Sequence, residues 1–322
     1  MSKNLLITGG SGFIGTNLLK ALSKLEEYTI HATYFNSNSF YKVSGVNYIK
    51  ANLENPEDCF KVSKDMDLIV MCAANSSGAA VMEKTPLVHL TPNVRMNINM
   101  LEAAYSQSVG KFIFISSNTV YPVSDLPMNE NDVDYNFFEK YHVVGWMKRF
   151  SEVVCEIYSK KIKNPMKTIV VRPGNLYGPH DKFDPEKAKV IPSLIAKVAN
   201  KQNPINVWGD GKDLKDFLYI EDFCQSLIEL MNFDEDFDIL NIASGNSITI
   251  QEVLKILIKL ESLENSEILY DLSKPTMIPK RLIDVSKAQK KLKYKSSISM
   301  EEGLKKTMDW YKNNYDFNKN TL

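Results

Sequence analysis

The sequence has no charge of either sign to spare: 39 Lys and Arg stand against 39 Asp and Glu in 322 residues. A chain so balanced lacks the means to hold a nucleic-acid backbone or an anionic membrane. Long apolar runs are missing too. Residues 68–74 form a run of seven, against the roughly 18 that a membrane span needs. The first residues offer only Leu5 to Ile7 before Thr8 and glycines, where an export signal needs about 7–15 apolar residues. A cytoplasmic protein is therefore expected. Cysteine is scarce: Cys59, Cys72, Cys155 and Cys224 show no C-x-x-C spacing, so the thiols are expected to be reduced and no metal site is expected. Repeats and low-complexity tracts are also absent. What is present, 44% hydrophobic and 24% charged residues, is ample for a core, and the length suggests two lobes or one α/β domain with a smaller addition.

Short β-branched runs alternate with segments of helical period, the pattern of βαβ units wound into a parallel sheet. Strands are predicted over 4–7, 29–34, 47–50, 68–73, 111–116 and 168–172, with helices over 13–24, 56–64, 93–106 and 139–161. The last helix stops before Asn164-Pro165, because proline cannot extend it. Beyond Arg172 the prolines at 173, 179, 185, 192 and 204 break the alternation. The expectation is a Rossmann-type doubly wound α/β domain over 1–173 and a smaller mixed lobe over 174–322, with some chain crossing back. Helices are predicted in that lobe over 191–200, 220–231, 250–260 and 300–313, and the tail after Tyr311 is expected to fray.

Four glycines fall within seven residues in Gly9-Gly10-Ser11-Gly12-Phe13-Ile14-Gly15, after the first strand and at the opening of the first helix. Backbone without Cβ turns tightly and approaches a pyrophosphate, and the helix end meets the phosphate charge. Dinucleotide binding is the reading. An acidic residue ending the second strand normally holds the ribose of NAD, and an arginine there accommodates the phosphate of NADP. Here the strand runs into Tyr34-Phe35-Asn36 with neither. The missing arginine disfavours NADP, and Asn36 or Asn38 can bond the hydroxyls, so NAD is expected. Asn52 and Leu53 are placed beside the adenine, and Ala73, Ala74 and Pro173 at the ends of later strands.

After the fifth strand comes Ser116-Ser117-Asn118-Thr119-Val120-Tyr121-Pro122, and Tyr141 stands 24 positions beyond Ser117 at a helix start. With the glycine loop and Arg172-Pro173-Gly174-Asn175-Leu176-Tyr177-Gly178-Pro179, these motifs resemble the extended short-chain dehydrogenase/reductase family of nucleotide-sugar enzymes over nearly the whole chain. The resemblance implies that Tyr141 moves the hydroxyl proton of the sugar, Ser117 orients it, and NAD takes the hydride. A phenol near pKa 10 needs help to act as a base at neutral pH. In the family a lysine four positions on, beside the nicotinamide ribose, gives that help; here the position is Gly145. Lys148 shares the helix face, but its Cα lies roughly 10 Å from that of Tyr141 by helical rise, and Lys140 points elsewhere. Three explanations stand open: activation by the nicotinamide charge and Ser117, a different base, or a cofactor-binding relative without turnover. Gly145 itself reads either as a site of close approach to the cofactor or as a packing position.

In the second lobe, the segment through His180 and Pro185, Val190-Ile191-Pro192, Trp208-Gly209-Asp210-Gly211 and Asp216-Phe217-Leu218 resemble the GDP-fucose synthase branch. That implies a GDP site around Trp208, Lys197, Lys215 and Arg281, with Asn118, Thr119, Asn175 and Val190 also facing substrate. Diphosphate needs cations, and guanine needs a flat surface. The branch epimerises two carbons with a cysteine just after the serine and a histidine; His180 matches the histidine, but Asn118 and Thr119 stand where the cysteine belongs. The expected reaction is the shared half-step, NAD-dependent oxidation at C4 of a GDP-linked sugar, with GDP-D-glycero-α-D-manno-heptose the expected substrate in capsule synthesis and a 2-oxo acid a possible co-substrate. A GDP-sugar 4-epimerase and an NAD(H)-binding sensor are the alternatives. The resemblance further implies a homodimer through the helices at 93–106 and 139–161.

Overall fold

Seven of the apolar runs pair in parallel, and their alternation leaves both faces of the resulting sheet buried. The computed structural model describes residues 2–37, 40–76, 85–274 and 276–315. Strands β1 (Lys3–Thr8), β2 (Tyr28–Tyr34), β3 (Asn47–Lys50), β4 (Leu68–Met71), β5 (Lys111–Ile115), β6 (Lys167–Pro173) and β10 (Phe237–Ile242) lie in the order β10-β6-β5-β4-β1-β2-β3. The order reverses between β1 and β4, where Leu5 pairs with Ile30 on one side and Leu68 on the other. This is the doubly wound Rossmann-type fold, and ligands bind at such a switch point beyond the carboxyl ends of the strands.

Successive strand residues serve opposite cores. Leu5, Ile7, Val70, Ile113 and Val171 pack on α1 (Phe13–Leu22) and α6 (Ile220–Met231) through Leu18, Leu22, Phe223 and Leu227. Leu6, Ile69, Phe112 and Val170 meet α2 (Pro56–Ser63), α3 (Leu87–Ser106) and α4 (His142–Lys160) through Val62, Met100, Leu101 and Cys155. The period of 2 along each strand decides which residue goes where.

Several element bounds differ from the sequence reading, each for a local reason. Strands β4 and β5 stop at Met71 and Ile115; just beyond β4, Ala73 N donates to the Thr8 side chain at 3.0 Å instead of to a ladder carbonyl. Helix α3 begins at Leu87 rather than 93 and carries Pro92 inside it. A proline removes the donor to the carbonyl four residues back. Here that carbonyl, Val88 O, accepts from Asn75 Nδ2 at 3.1 Å. The long helix predicted over 139–161 is a 3-10 turn, Glu139–Tyr141, followed by α4, with Tyr141 at the junction.

The second lobe contains strands that the proline-rich sequence had concealed. β9 (Leu214–Tyr219) pairs with β7 (Asn175–Tyr177), β11 (Ser247–Thr249) and β13 (Lys280–Arg281), and β8 (Ile205–Trp208) pairs with β12 (Ile268–Asp271). Helices α5 (Val190–Ala199), α7 (Ile250–Leu260), α8 (Ser286–Leu292) and α9 (Met300–Asn314) complete it. The expected fraying after Tyr311 is corrected as far as residue 315: Tyr311 is buried and its ring stacks on Tyr315 at 4.9 Å. Residues 316–322 lie outside the described residues. Among the described residues no helix is long and apolar enough to cross a membrane.

Candidate active site

The carboxyl ends of β1, β4, β5 and β6 open into one continuous cleft of about 420 Å³, roofed by the second lobe. At one end lie Phe13 and Ile14, where the glycine loop opens α1; Gly9, Gly12 and Gly15 themselves are not among the lining residues. Gly9 has φ +66°, and a Cβ there would come within 2.7 Å of Ala73 Cα; a Cβ on Gly15 would collide with Gly9 O. These contacts bring the backbone of strand, loop and helix together, as a pyrophosphate cradle requires. The loop is held open by β2: Gly9 N donates to Thr33 Oγ1 at 3.0 Å and Gly10 N to Thr33 O at 2.7 Å. Gly12 caps α1 without any side-chain bond, so the first N–H groups of the helix have no partner from a cap. Phe13 and Ile14 line the cleft at this end, as do Ala73, Ala74 and Pro173. A dinucleotide fits: an uncapped helix end for its phosphates, and backbone where side chains would otherwise stand.

Ser117 and Tyr141 both face the middle of this cleft, together with Asn118 and Thr119. Ser117 Oγ accepts from Thr119 N at 3.2 Å, which leaves its proton free to donate. Asn118 is engaged by the protein, its Nδ2 donating to Pro173 O at 3.0 Å. Thr119 Oγ1 is buried without a hydrogen-bond partner among the described residues. Burial pushes the Tyr141 hydroxyl up to about 12, while the Arg281 guanidinium pulls it back and Asp213 reinforces the rise.

Gly145 is explained by contact. A Cβ there would lie 2.9 Å from both Thr119 O and the Phe137 ring. Any side chain would push the serine loop away from α4, so the lysine is excluded sterically, and Gly145 does not itself line the cleft. Lys148 does line it. Its Nζ donates to Ile115 O at 2.8 Å and sits 4.9 Å from the Phe114 ring centre, and burial holds the ammonium down to about 8 against the pull of Glu152. The simple distance along the helix axis had understated its reach, since helical side chains lean toward the N-terminus.

At the far end stand Trp208, Lys197, Lys215, Val190 and Asn175. The indole is 42% exposed, open for a planar group to stack. Lys197 Nζ donates to Asn206 O at 2.8 Å, Lys215 pairs with Asp213 at 3.2 Å, and Asn175 Nδ2 donates to Asp216 O at 2.9 Å. Burial lowers the pKa of both lysines. Sequence reading missed Lys189 and Asn93, which also line the cleft. Lys189 had a signal in its position just before Val190; Asn93 had one in being polar on a buried helix face, where it accepts from Asn75 N at 2.8 Å and donates to Asn75 O at 2.9 Å.

Other residues expected at the site sit elsewhere. His180 is not among the residues lining the cleft; its ring packs 4.8 Å from Trp310 and 5.1 Å from Tyr41, and burial pushes it down to about 4. Arg281 is likewise off the cleft lining, with only 2% of its surface exposed. Leu53 is core, packed beneath β3 and α2, and Asn52 is spent on a turn, its Oδ1 accepting from Glu54 N at 3.1 Å. Asn36 is exposed in a bend after β2, and Asn38 lies outside the described residues.

Residues 5–243 match the NAD dependent epimerase/dehydratase family. A probable GDP-L-fucose synthase 1 of Oryza sativa subsp. japonica is 30% identical over 254 residues, 76% of this chain and 76% of that protein. The structure resembles that of UDP-glucose 4-epimerase from Thermotoga maritima, solved with UDP-glucose, with a TM-score of 0.86 and 23% identity over 97% of this chain and 100% of that one. It also resembles dTDP-glucose 4,6-dehydratase from Bacillus anthracis str. Ames, solved in complex with NAD, with a TM-score of 0.82 and 23% identity over 98% of each chain.

Proposed function

The chain belongs to the NAD dependent epimerase/dehydratase family, and from that premise we propose that it oxidises C4 of a GDP-linked sugar, with GDP-D-glycero-α-D-manno-heptose as substrate in capsular polysaccharide synthesis. One observation carries the reading: the hydroxyls of Ser117 and Tyr141 lie in one cleft between an uncapped helix end and a tryptophan flanked by lysines. NAD, when bound, supplies the acceptor for the C4 hydride. Tyr141 takes the proton of the C4 hydroxyl, and Ser117 donates to the same oxygen and holds it in line. Thr119 Oγ1, without a protein partner, bonds a neighbouring sugar hydroxyl. Trp208 stacks on the guanine, and Lys197 and Lys215 meet the diphosphate charge.

Two features favour simple oxidation over epimerisation at further carbons. Asn118 and Thr119 carry no titratable acid, and the His180 ring is packed between Trp310 and Tyr41. A 2-oxo acid is the proposed co-substrate, reduced to its hydroxy acid to complete the turnover. The proposed assembly is a homodimer: Trp146, Phe150 and Ile157 form an exposed apolar stripe along α4, and Leu87 and Val88 of α3 are exposed as well. The test is to incubate the protein with NAD and the GDP-heptose, with and without 2-oxoglutarate, and analyse the sugar. A 4-keto product is expected. An alcohol isomer would identify a 4-epimerase, and an unchanged sugar in both mixtures would overturn the reading.

A further inference from the structure

His180 stands off the cleft, but another histidine does not. His89, the third residue of α3, lines the wall beyond β4 with Asn75, Ser76 and Asn93, and only 3% of its surface is exposed. The start of α3 is knitted to Asn75, just past the end of β4. Asn93, one turn on from His89, accepts from Asn75 N at 2.8 Å and donates to Asn75 O at 2.9 Å and to His89 O at 2.6 Å. Asn75 Nδ2 donates in turn to Val88 O at 3.1 Å. Within this frame the His89 ring is held by one nitrogen, Nδ1, which lies 3.1 Å from Asn75 O.

A carbonyl oxygen only accepts, so the proton of the neutral ring sits on Nδ1 and Nε2 carries a lone pair. Nε2 is buried and has no hydrogen-bond partner among the described residues. A second proton there would bury a charge and an N–H donor with nothing to receive them, so this wall favours the neutral form. With Nδ1 spent on Asn75 O, Nε2 is the polar side-chain atom that His89 has to offer the cleft. An unpaired buried acceptor is a standing cost, and a donor arriving in the cleft removes it. A lone pair takes an O–H donor and repels a phosphate oxygen, which itself only accepts. The chemistry that Nε2 selects is therefore a hydroxyl, the group in which a sugar ring is richest.

We propose that His89 is a further binding residue of the cleft, its Nε2 accepting a hydrogen bond from a hydroxyl of a bound sugar ring. The two sources of such a hydroxyl are a ribose of the dinucleotide and the sugar of the GDP-linked substrate. The proposal rests on the reading of this cleft as the site of both molecules. The role is recognition: the hydroxyl keeps its proton, and Tyr141 remains the base.

The experiment titrates NAD and, separately, GDP-D-glycero-α-D-manno-heptose by calorimetry into wild type, His89→Asn and His89→Gln, with the melting temperature of each protein measured alongside. The asparagine amide reaches the place of Nδ1 and keeps the donor to Asn75 O, but puts nothing at Nε2. The glutamine amide reaches the place of Nε2 with an acceptor and gives up Asn75 O. Loss of one neutral hydrogen bond weakens binding by about 3–10-fold. His89→Asn is therefore expected to bind one of the two ligands about 3–10-fold more weakly at an unchanged melting temperature, and His89→Gln to keep most of the affinity at a lower one. Weaker NAD assigns the hydroxyl to the dinucleotide, and weaker GDP-heptose assigns it to the substrate. Unchanged affinity of His89→Asn for both ligands would overturn the proposal. So would a loss of affinity greatest in His89→Gln, the signature of a residue that only holds Asn75. Should His89→Asn fail to fold, wild type labelled with heavy nitrogen at histidine decides: the His89 Nε2 resonance, identified by its absence in His89→Gln, must move upfield when one ligand binds, and no movement with either overturns the proposal. Failure of wild type to bind GDP-heptose would refute the proposed substrate, and the NAD titration then decides the role of His89 by itself.

Discussion

Gly145 shows how much one hydrogen atom in place of a side chain can decide. It lets the Thr119 carbonyl and the Phe137 ring close against α4, and that closure fixes the serine loop opposite Tyr141. Gly145→Lys, which restores the residue type of the family, is expected to destabilise the fold by about 1–3 kcal/mol through overpacking and not to raise turnover; thermal unfolding and initial rates check both. His180 gives a second expectation. Its ring is held at about 4 in the folded protein against an ordinary 6.5, so below pH 6.5 the unfolded chain binds the proton more readily. Its contribution is whole above pH 6.5 and is lost as pH falls toward 4. Urea midpoints across that window are expected to fall less steeply in His180→Asn than in wild type. Asp216, which burial pushes up to about 6, adds the opposite slope in both proteins and cancels in the comparison.

At the scale of elements, α4 is tied to the sheet by a buried ion pair. Glu152 receives Arg172 Nη2 at 2.7 Å and Nε at 2.9 Å, along with Ser116 Oγ and Arg149 Nη1. The pair sits directly behind Ser117, so it fixes both the strand end and the helix that follows Tyr141. Glu152→Gln leaves a buried guanidinium without its anion, and a loss of about 3–5 kcal/mol is expected in denaturant unfolding. The sheet strands and the helices beside them were legible in the sequence because apolar alternation writes their burial directly. The short strands β7, β11 and β13 were not, since two or three residues carry no period and their pairing depends on distant partners. The early start of α3 was equally hidden: only the bond from Asn75 to Val88 O makes Pro92 tolerable there.

Across the whole molecule, the parts of the site that are local in sequence were readable and those assembled from afar were not. The glycine loop, Ser117 and Tyr141 announce themselves by spacing, and the cleft brings Phe13 and Ile14 at the end of that loop together with Ser117 and Tyr141. His180 and Arg281 carry the right chemistry, but their side chains point away from the cleft lining, and only packing against Trp310 or the Tyr121 carbonyl reveals that. Leu53 and Asn52 look like loop residues beside a strand end, yet one is core and the other closes a turn. The two lobes act as one device in this account. In the proposed reading the first supplies the base and the cofactor cradle, and the second supplies the grip on the nucleotide. The most direct measurement uses GDP-heptose deuterated at C4, with wild type and Tyr141→Phe compared by mass spectrometry. The account predicts deuterium in the reduced cofactor beside a 4-keto sugar, with transfer slowed about 10²–10⁴-fold in Tyr141→Phe. Deuterium retained at C4 of an inverted alcohol, or transfer at an unchanged rate without the tyrosine hydroxyl, would contradict it.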